Sequence, residues 1–194
     1  MTPPPFWVVI PAAGIGKRME ADRPKQYLEL AGRTLLEHTL DCFLDHPALK
    51  GLVLCLAEDD PWWPALRGSA SPAISHAVGG AERADTVLAG LLRLHELGAA
   101  QGDWVLVHDA ARPNLSRYDF DLLLSTLADD PVGGLLGVPS RDTLKRVGED
   151  GLIAGEYGPA TLRDALAEGN PVARDHAATA SAILFGLRTD REHA

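Results

Sequence analysis

Four short stretches of the chain gather residue types suited to handling phosphate. The first reads Pro11-Ala12-Ala13-Gly14-Ile15-Gly16-Lys17-Arg18-Met19. Its small residues let backbone N–H groups approach a polyphosphate, and Gly14 and Gly16 can take positive φ at no steric cost. Lys17 and Arg18 add charge, and Lys25, behind Arg23-Pro24, adds a further cation within reach of the loop. No Gly-Lys-Ser/Thr closes it as a Walker A loop, and its Gly-x-Gly lacks the x-x-Gly that completes a dinucleotide fingerprint. An ordinary strand-to-helix turn fits the same residues.

The second stretch is Gly79-Gly80-Ala81-Glu82-Arg83-Ala84-Asp85-Thr86. Two glycines ahead of a helix suit close backbone contact with a flat base, with Thr86 offering a hydroxyl. A plain Gly-Gly helix entry fits equally well. The third is His108-Asp109-Ala110-Ala111-Arg112-Pro113. A hard cation such as Mg²⁺ takes one or two carboxylates plus phosphate oxygens, and arginine pairs with phosphate bidentately, so Asp109 and Arg112 suit a Mg²⁺-nucleotide. The alternative is an Asp–Arg pair that only fixes the loop, and His108 reads as scaffold. The fourth is Ser140-Arg141-Asp142-Thr143-Leu144-Lys145-Arg146-Val147, whose charges fit a second anionic substrate or a solvated edge strand.

The elements that must position these loops follow from periodicity. Phe6–Ile10, Gly51–Leu56, Ile74–Val78, Trp104–Val107 and Gly134–Val138 are short apolar runs that read as buried strands. Leu35, Leu36, Thr39, Leu40 and Phe43 recur at helical spacing, with Thr34 and Glu37 as a capping box. Glu82–Leu97 reads as a helix with Val87, Leu88, Leu91 and Leu92 inward, and Tyr118–Leu127 as another. Strands alternating with helices mean βαβ units and a mainly parallel, twisted sheet covered on both faces. Ligands bind beyond the carboxyl ends of such strands, where all four stretches lie.

Bulk properties narrow the class. With 46% hydrophobic and 23% charged residues, the 194-residue chain has an ordinary globular balance and enough length for one domain. A formal net charge of −9 argues against nucleic acid or anionic lipid as partner, since either requires a basic surface. No apolar stretch approaches the roughly 20 residues of a membrane span. Met1–Phe6 carries three prolines and no positive run, so no secretory leader is expected. Cys42 and Cys55, each in an apolar run, read as buried thiols of a reducing compartment, which points to the cytoplasm.

Taken in order and spacing, Pro-Ala-Ala-Gly-x-Gly-x-Arg-Met, Arg-Pro-Lys-Gln-Tyr, Gly-Gly-x-x-Arg, His-Asp-Ala-Ala-Arg-Pro and Asp-Thr-Leu-Lys resemble the 2-C-methyl-D-erythritol 4-phosphate cytidylyltransferase family of the non-mevalonate isoprenoid pathway. The resemblance runs from about Phe6 to Gly151. It implies an α/β, Rossmann-like three-layer nucleotidyltransferase fold, a Mg²⁺-dependent transfer of CMP from CTP to methylerythritol phosphate, and a homodimer. It further implies that Pro11, Ala12, Ala13, Gly14 and Gly16 cradle the triphosphate, and that Arg18 and Lys25 stabilise the transition state. Gly80, Ala81 and Thr86 would surround cytosine and ribose, with Asp109 and Ala110 at the Mg²⁺-nucleotide. Arg112 and Thr143 would bind methylerythritol phosphate. A ribitol phosphate cytidylyltransferase and a CTP-binding protein without turnover are the alternatives; the incomplete glycine fingerprint disfavours an NAD-dependent oxidoreductase.

Residues 152–194 depart from the family pattern. The Gln-Thr-Pro-Gln run and the closing Asn-x-Lys-x-Thr strand have no counterpart, which predicts a sheet missing a strand and exposing an unpaired edge. Thr161–Glu168 and His176–Phe185 are alanine-rich and read as helices. The whole of 1–194 is expected to form one nucleotidyltransferase domain with an atypical end.

Overall fold

A computed structural model describes residues 3–14, 22–137, 144–157 and 182–186. Two compact units are present, the first comprising Met1–Leu135 with Ser181–Ala194 and the second Leu136–Ala180.

The first unit is built on a six-stranded sheet. Its strands are β1 (Phe6–Pro11), β4 (Leu49–Leu56), β5 (Ile74–Val78), β6 (Trp104–His108), β7 (Gly133–Leu135) and β10 (Ala182–Gly186), ordered β5-β4-β1-β6-β10-β7. β1 pairs parallel with β4 on one side and with β6 on the other, and β4 pairs parallel with β5. Only β10 runs against the rest, antiparallel to both β6 and β7. The chain leaves β1 toward β4 and β5, then crosses back to β6. The carboxyl ends of β1 and β6 therefore flank the point where strand order reverses, the place where open α/β sheets leave a crevice.

β1 reads Phe-Trp-Val-Val-Ile because both of its faces are covered. Phe6, Val8, Val9 and Ile10 are fully buried and Trp7 nearly so. On one face Trp7, Val9, Val53, Cys55, Val105 and Val107 pack with Leu94 of α2 (Arg83–Glu96). Gly90 allows that helix to approach, since a Cβ there would lie 2.5 Å from Val9 Cγ1. On the other face Phe6, Phe43 and Phe120 meet edge to face, with ring centroids 4.9 Å apart for Phe6–Phe120 and 5.6 Å for Phe43–Phe120. Phe43 and Phe120 come from α1 (Leu35–Leu44) and α3 (Arg117–Thr126). Helix, sheet, helix is the expected three-layer order.

α1 begins as expected: Glu37 N–H donates to Thr34 Oγ1 at 3.2 Å and Thr34 N–H to Glu37 Oε2 at 2.9 Å. Before it, β2 (Glu29–Leu30) and β3 (Arg33–Thr34) form a hairpin around Ala31-Gly32. Both loop residues have positive φ, 51° at Ala31 and 79° at Gly32, as a two-residue turn matched to strand twist demands.

Four expectations need correction. Leu88 and Leu92 are 56% and 58% exposed rather than inward. The apolar stripe of α2 runs instead through Val87, Gly90, Leu91 and Leu94, which keep the 3.6-residue period on the sheet side. Residues 182–186 are a strand, not the end of a helix. Alanine content is a weak helical prior, and a slot between β6 and β7 offers backbone partners on both sides. The position beside β6 is therefore filled, contrary to the expected unpaired edge. The fifth strand spans Gly133–Leu135 rather than 134–138, and residues 161–168 lie outside the described residues.

In the second unit, β8 (Leu144–Val147) and β9 (Ile153–Tyr157) form an antiparallel hairpin. Gly148 N–H donates to Leu152 O at 2.8 Å to close its turn, Gly151 takes a φ of 77°, and Lys145 pairs with Glu156 across the strands.

Candidate active site

Three strand ends build one cleft of about 680 Å³. From Pro11, the last residue of β1, the chain passes through Ala12, Ala13 and Gly14, and all four line it. Ala12 N–H still belongs to the sheet, donating to Cys55 O at 2.8 Å. After β5 come Gly79 and Gly80. A Cβ on Gly79 would lie 2.3 Å from Ala13 Cβ, so only glycine lets the second loop close against the first. After β6 come Asp109, Ala110 and Arg112, and these line the cleft as well.

Lys25 reaches the cleft on a 3-10 turn, Lys25–Tyr27, that follows Pro24. The two residues after it hold the turn down. Gln26 is 2% and Tyr27 1% exposed. Tyr27 Oη donates to Asp60 Oδ2 at 2.8 Å, and Asp60 Oδ1 accepts from the backbone N–H groups of Trp62 and Trp63 at 2.9 and 3.1 Å. Burial, and then the bond to Asp60, push the Tyr27 hydroxyl well above its ordinary pKa, so it remains a donor. The Arg23 guanidinium lies 5.2 Å from the Trp62 ring centroid, which fixes the approach to the turn. With its neighbours anchored inward, Lys25 is left exposed at the mouth.

Asp109 is the electrostatic centre. Arg83 Nη2 donates to its Oδ1 at 2.9 Å, and Arg112 Nε lies 2.8 Å from its Oδ2. Burial alone would raise the Asp109 carboxyl, but the Arg83 hydrogen bond and the charges of Arg83, Arg112 and Lys25 outweigh it. The group is held below the usual carboxylate range and is ionised at neutral pH. His108 is scaffold, as expected: its Nε2 is 2.8 Å from Arg112 O.

Thr86 lines the cleft but is 4% exposed. Its Oγ1 accepts from Gly80 N–H at 3.1 Å and donates to Glu82 O at 3.0 Å. Its hydroxyl therefore ties the Gly79-Gly80 loop to the first turn of α2. Ala81 lines the same lip.

Of the residues singled out from sequence, Pro11, Ala12, Ala13, Gly14, Lys25, Gly80, Ala81, Thr86, Asp109, Ala110 and Arg112 share this one cleft. Gly16, Arg18 and Thr143 lie outside the described residues. Three lining residues, Gln26, Glu82 and Arg83, had no role assigned. Arg83 is the hydrogen-bond partner of Asp109, and Gln26 is bonded to the Ala12–Gly14 loop. Both stood inside quoted motifs, Gly-Gly-x-x-Arg and Arg-Pro-Lys-Gln-Tyr. Only the folded chain shows what they touch. A second groove of about 370 Å³ between α1 and residues 113–117, including His38 and Cys42, gathers no comparable set of charges.

No group of three or more His, Cys, Asp or Glu side chains is assembled for a metal among the described residues. A cation arriving with a triphosphate needs less, one or two carboxylates beside phosphate oxygens. Asp109 fits that requirement: it is ionised, and each of its oxygens keeps a lone pair beyond the one used by an arginine.

The profile of the 2-C-methyl-D-erythritol 4-phosphate cytidylyltransferase family (IspD) matches residues 6–172. A Pseudomonas aeruginosa protein of that description is 70% identical over 151 residues, covering 78% of this chain and 64% of the relative. A Pseudomonas putida KT2440 protein of the same description is 67% identical over 159 residues, covering 82% of this chain and 68% of its own length. The chain thus spans slightly under two thirds of the P. aeruginosa relative. Among solved structures, a 4-diphosphocytidyl-2C-methyl-D-erythritol synthase superposes with a TM-score of 0.72 at 32% identity, over 95% of this chain and 76% of that one. The Francisella tularensis 2-C-methyl-D-erythritol 4-phosphate cytidylyltransferase gives 0.64 at 28% identity, over 88% and 81% of the two chains.

Proposed function

This chain belongs to the 2-C-methyl-D-erythritol 4-phosphate cytidylyltransferase family, and from that premise we propose that it transfers CMP from CTP to 2-C-methyl-D-erythritol 4-phosphate. The products are 4-diphosphocytidyl-2-C-methyl-D-erythritol and pyrophosphate. The observation that carries the proposal is the convergence of Lys25, Arg83 and Arg112 on one cleft with Asp109 and the Ala12–Gly14 loop, in a chain whose net charge is −9. Cations concentrated at one strand-end crevice of an acidic protein suit a compact polyanion, not a nucleic acid backbone.

In the reaction a phosphate oxygen of methylerythritol phosphate attacks the α-phosphorus of CTP. The new P–O bond forms as the bond to the pyrophosphate oxygen breaks, and the electron pair leaves on pyrophosphate. The attacking phosphate is already ionised at pH 7, so no general base is assigned. What the protein supplies is alignment and positive charge where negative charge builds. Backbone groups of Ala13 and Gly14, with Gly16, would hold the triphosphate. Lys25 and Arg18 would stabilise the transition state, Gly80 and Ala81 would flank the base, and Arg112 and Thr143 would bind the second substrate's phosphate. Mg²⁺ bound with the nucleotide would supply charge neutralisation, held by Asp109 beside Ala110. Arg83 keeps that carboxylate oriented.

We further propose a homodimer, working in the cytoplasm, with 1–194 acting as one nucleotidyltransferase domain. Val147, Leu152 and Ile153 on the β8–β9 hairpin are 60–68% exposed, which supports a partner surface there. No helix among the described residues is long and apolar enough to cross a membrane.

The test is pyrophosphate release by the purified chain with CTP, Mg²⁺ and methylerythritol phosphate, with ribitol phosphate as control. Release with methylerythritol phosphate alone is expected. Release with ribitol phosphate alone would transfer the proposal to the other substrate, and CTP binding without release would leave a binding protein.

A further inference from the structure

We propose that Gln26 is a positioning residue for the triphosphate loop, setting the orientation of its backbone rather than touching the nucleotide's reacting atoms. This rests on the assignment of the cleft to CTP given above. Gln26 Nε2 donates to Ala12 O at 2.6 Å and lies 3.3 Å from Gly14 O. The side chain is 2% exposed. Two carbonyl oxygens can be satisfied only by a donor, so the amide orientation follows from the partners themselves.

The chemistry explains why this position needs that group. Carbonyl oxygens carry partial negative charge, and a loop receiving a polyanion must keep them occupied while its N–H groups stay available. One buried NH₂ engages alternate carbonyls, at residues 12 and 14, and leaves Ala13 between them braced on both sides. A lysine could donate too, but it would carry a buried charge. A glutamate could only accept, and would set a carboxylate against two carbonyls beside the phosphates. Glutamine combines neutrality with two donors. Its own position is fixed by the 3-10 turn and by Tyr27's bond to Asp60, so the brace links the Lys25 turn to the loop it serves.

The experiment compares Gln26→Leu and Gln26→Glu with the unsubstituted chain, using CTP titration calorimetry and the KM for each substrate. Loss of both hydrogen bonds, with Ala12 O left buried, is expected to weaken CTP binding by about tenfold or more. The KM for methylerythritol phosphate should stay within about twofold of its starting value on this account. In Gln26→Glu the deficit should shrink as pH falls from 8 toward 5.5, relative to the unsubstituted chain at each pH, because a protonated carboxyl regains one donor. CTP affinity unchanged in both variants, or a parallel rise in both KM values with no pH recovery, would overturn the inference. So would failure of both variants to fold, which would assign Gln26 to the core alone. Absence of CTP binding by the unsubstituted chain would overturn the functional proposal as well.

Discussion

Thr86 faces the cleft with a hydroxyl already committed to its own loop, accepting from Gly80 N–H and donating to Glu82 O. Thr86→Val keeps the shape and removes both bonds. We expect a stability loss of about 1–2 kcal/mol, measured by urea unfolding, together with weaker CTP binding, because Gly80 N–H loses its partner. Unchanged stability would mean that the loop is held by its glycines alone. At this scale the chain was readable where a residue type announces its chemistry. Asp109, Arg112 and Lys25 are charges placed just beyond strand ends, and the period of the flanking runs locates them. Gln26 and Arg83 were visible within their motifs, but their work consists of a contact with residues 12 or more positions away. Thr86 shows a subtler gap: its place in the lining of the cleft was legible, whereas the bonds of its hydroxyl were not.

Two elements carry tests of their own. Gly90 sits where α2 crosses β1 and β4, and a methyl there would lie 2.5 Å from Val9 Cγ1 and 2.9 Å from Cys55 Sγ. Alanine would raise helix propensity by about 1 kcal/mol, but overpacking of a filled core costs about 1–3 kcal/mol. Gly90→Ala is therefore expected to lower the melting temperature, and a rise would show that the helix can shift outward freely. The β2–β3 hairpin predicts the reverse sign. Ala31 holds a φ of 51°, a left-handed conformation that asparagine tolerates better than alanine. Ala31→Asn should stabilise by about 0.5 kcal/mol, read from the same unfolding curves. The strands β1, β4, β5 and β6 were readable as apolar runs of strand length, and α1 from its capping box. The inward stripe of α2 was misplaced because Val87, Leu88, Leu91 and Leu92 offer two overlapping apolar faces. Gly90, the residue that identifies the true one, is silent in a pattern of hydrophobicity.

For the molecule as a whole, a carboxylate far from the cleft makes one contribution to stability that acid removes. Asp103 accepts from Trp7 Nε1 at 2.8 Å, from Lys50 Nζ at 2.9 Å and from Ala100 N–H at 3.0 Å, joining β1, β4 and the approach to β6. Burial tends to raise its pKa, but Lys50, Trp7 and Ala100 together bring it below the ordinary value. Since the folded pKa is the lower one, its contribution is present above the unfolded value of about 3.9 and is lost as pH falls through the folded value. Asp103→Asn should thus be less stable than the parent at pH 7, with the gap narrowing at pH 3 in matched urea titrations. A gap independent of pH would place the effect in packing instead. The α/β class and sheet direction were legible because each parallel strand declares itself locally. β10 was not, because its identity as a strand depends on partners far away, at residues 104–108 and 133–135. That same insertion orders events on the ribosome. β5, β4, β1 and β6 can assemble once residue 108 has emerged, but β7 has no neighbour in the sheet until Ala182–Gly186 follows it out of the tunnel. For the whole interval of synthesis between them, one side of β6 stands open, which is when a chaperone or a second nascent chain could reach it.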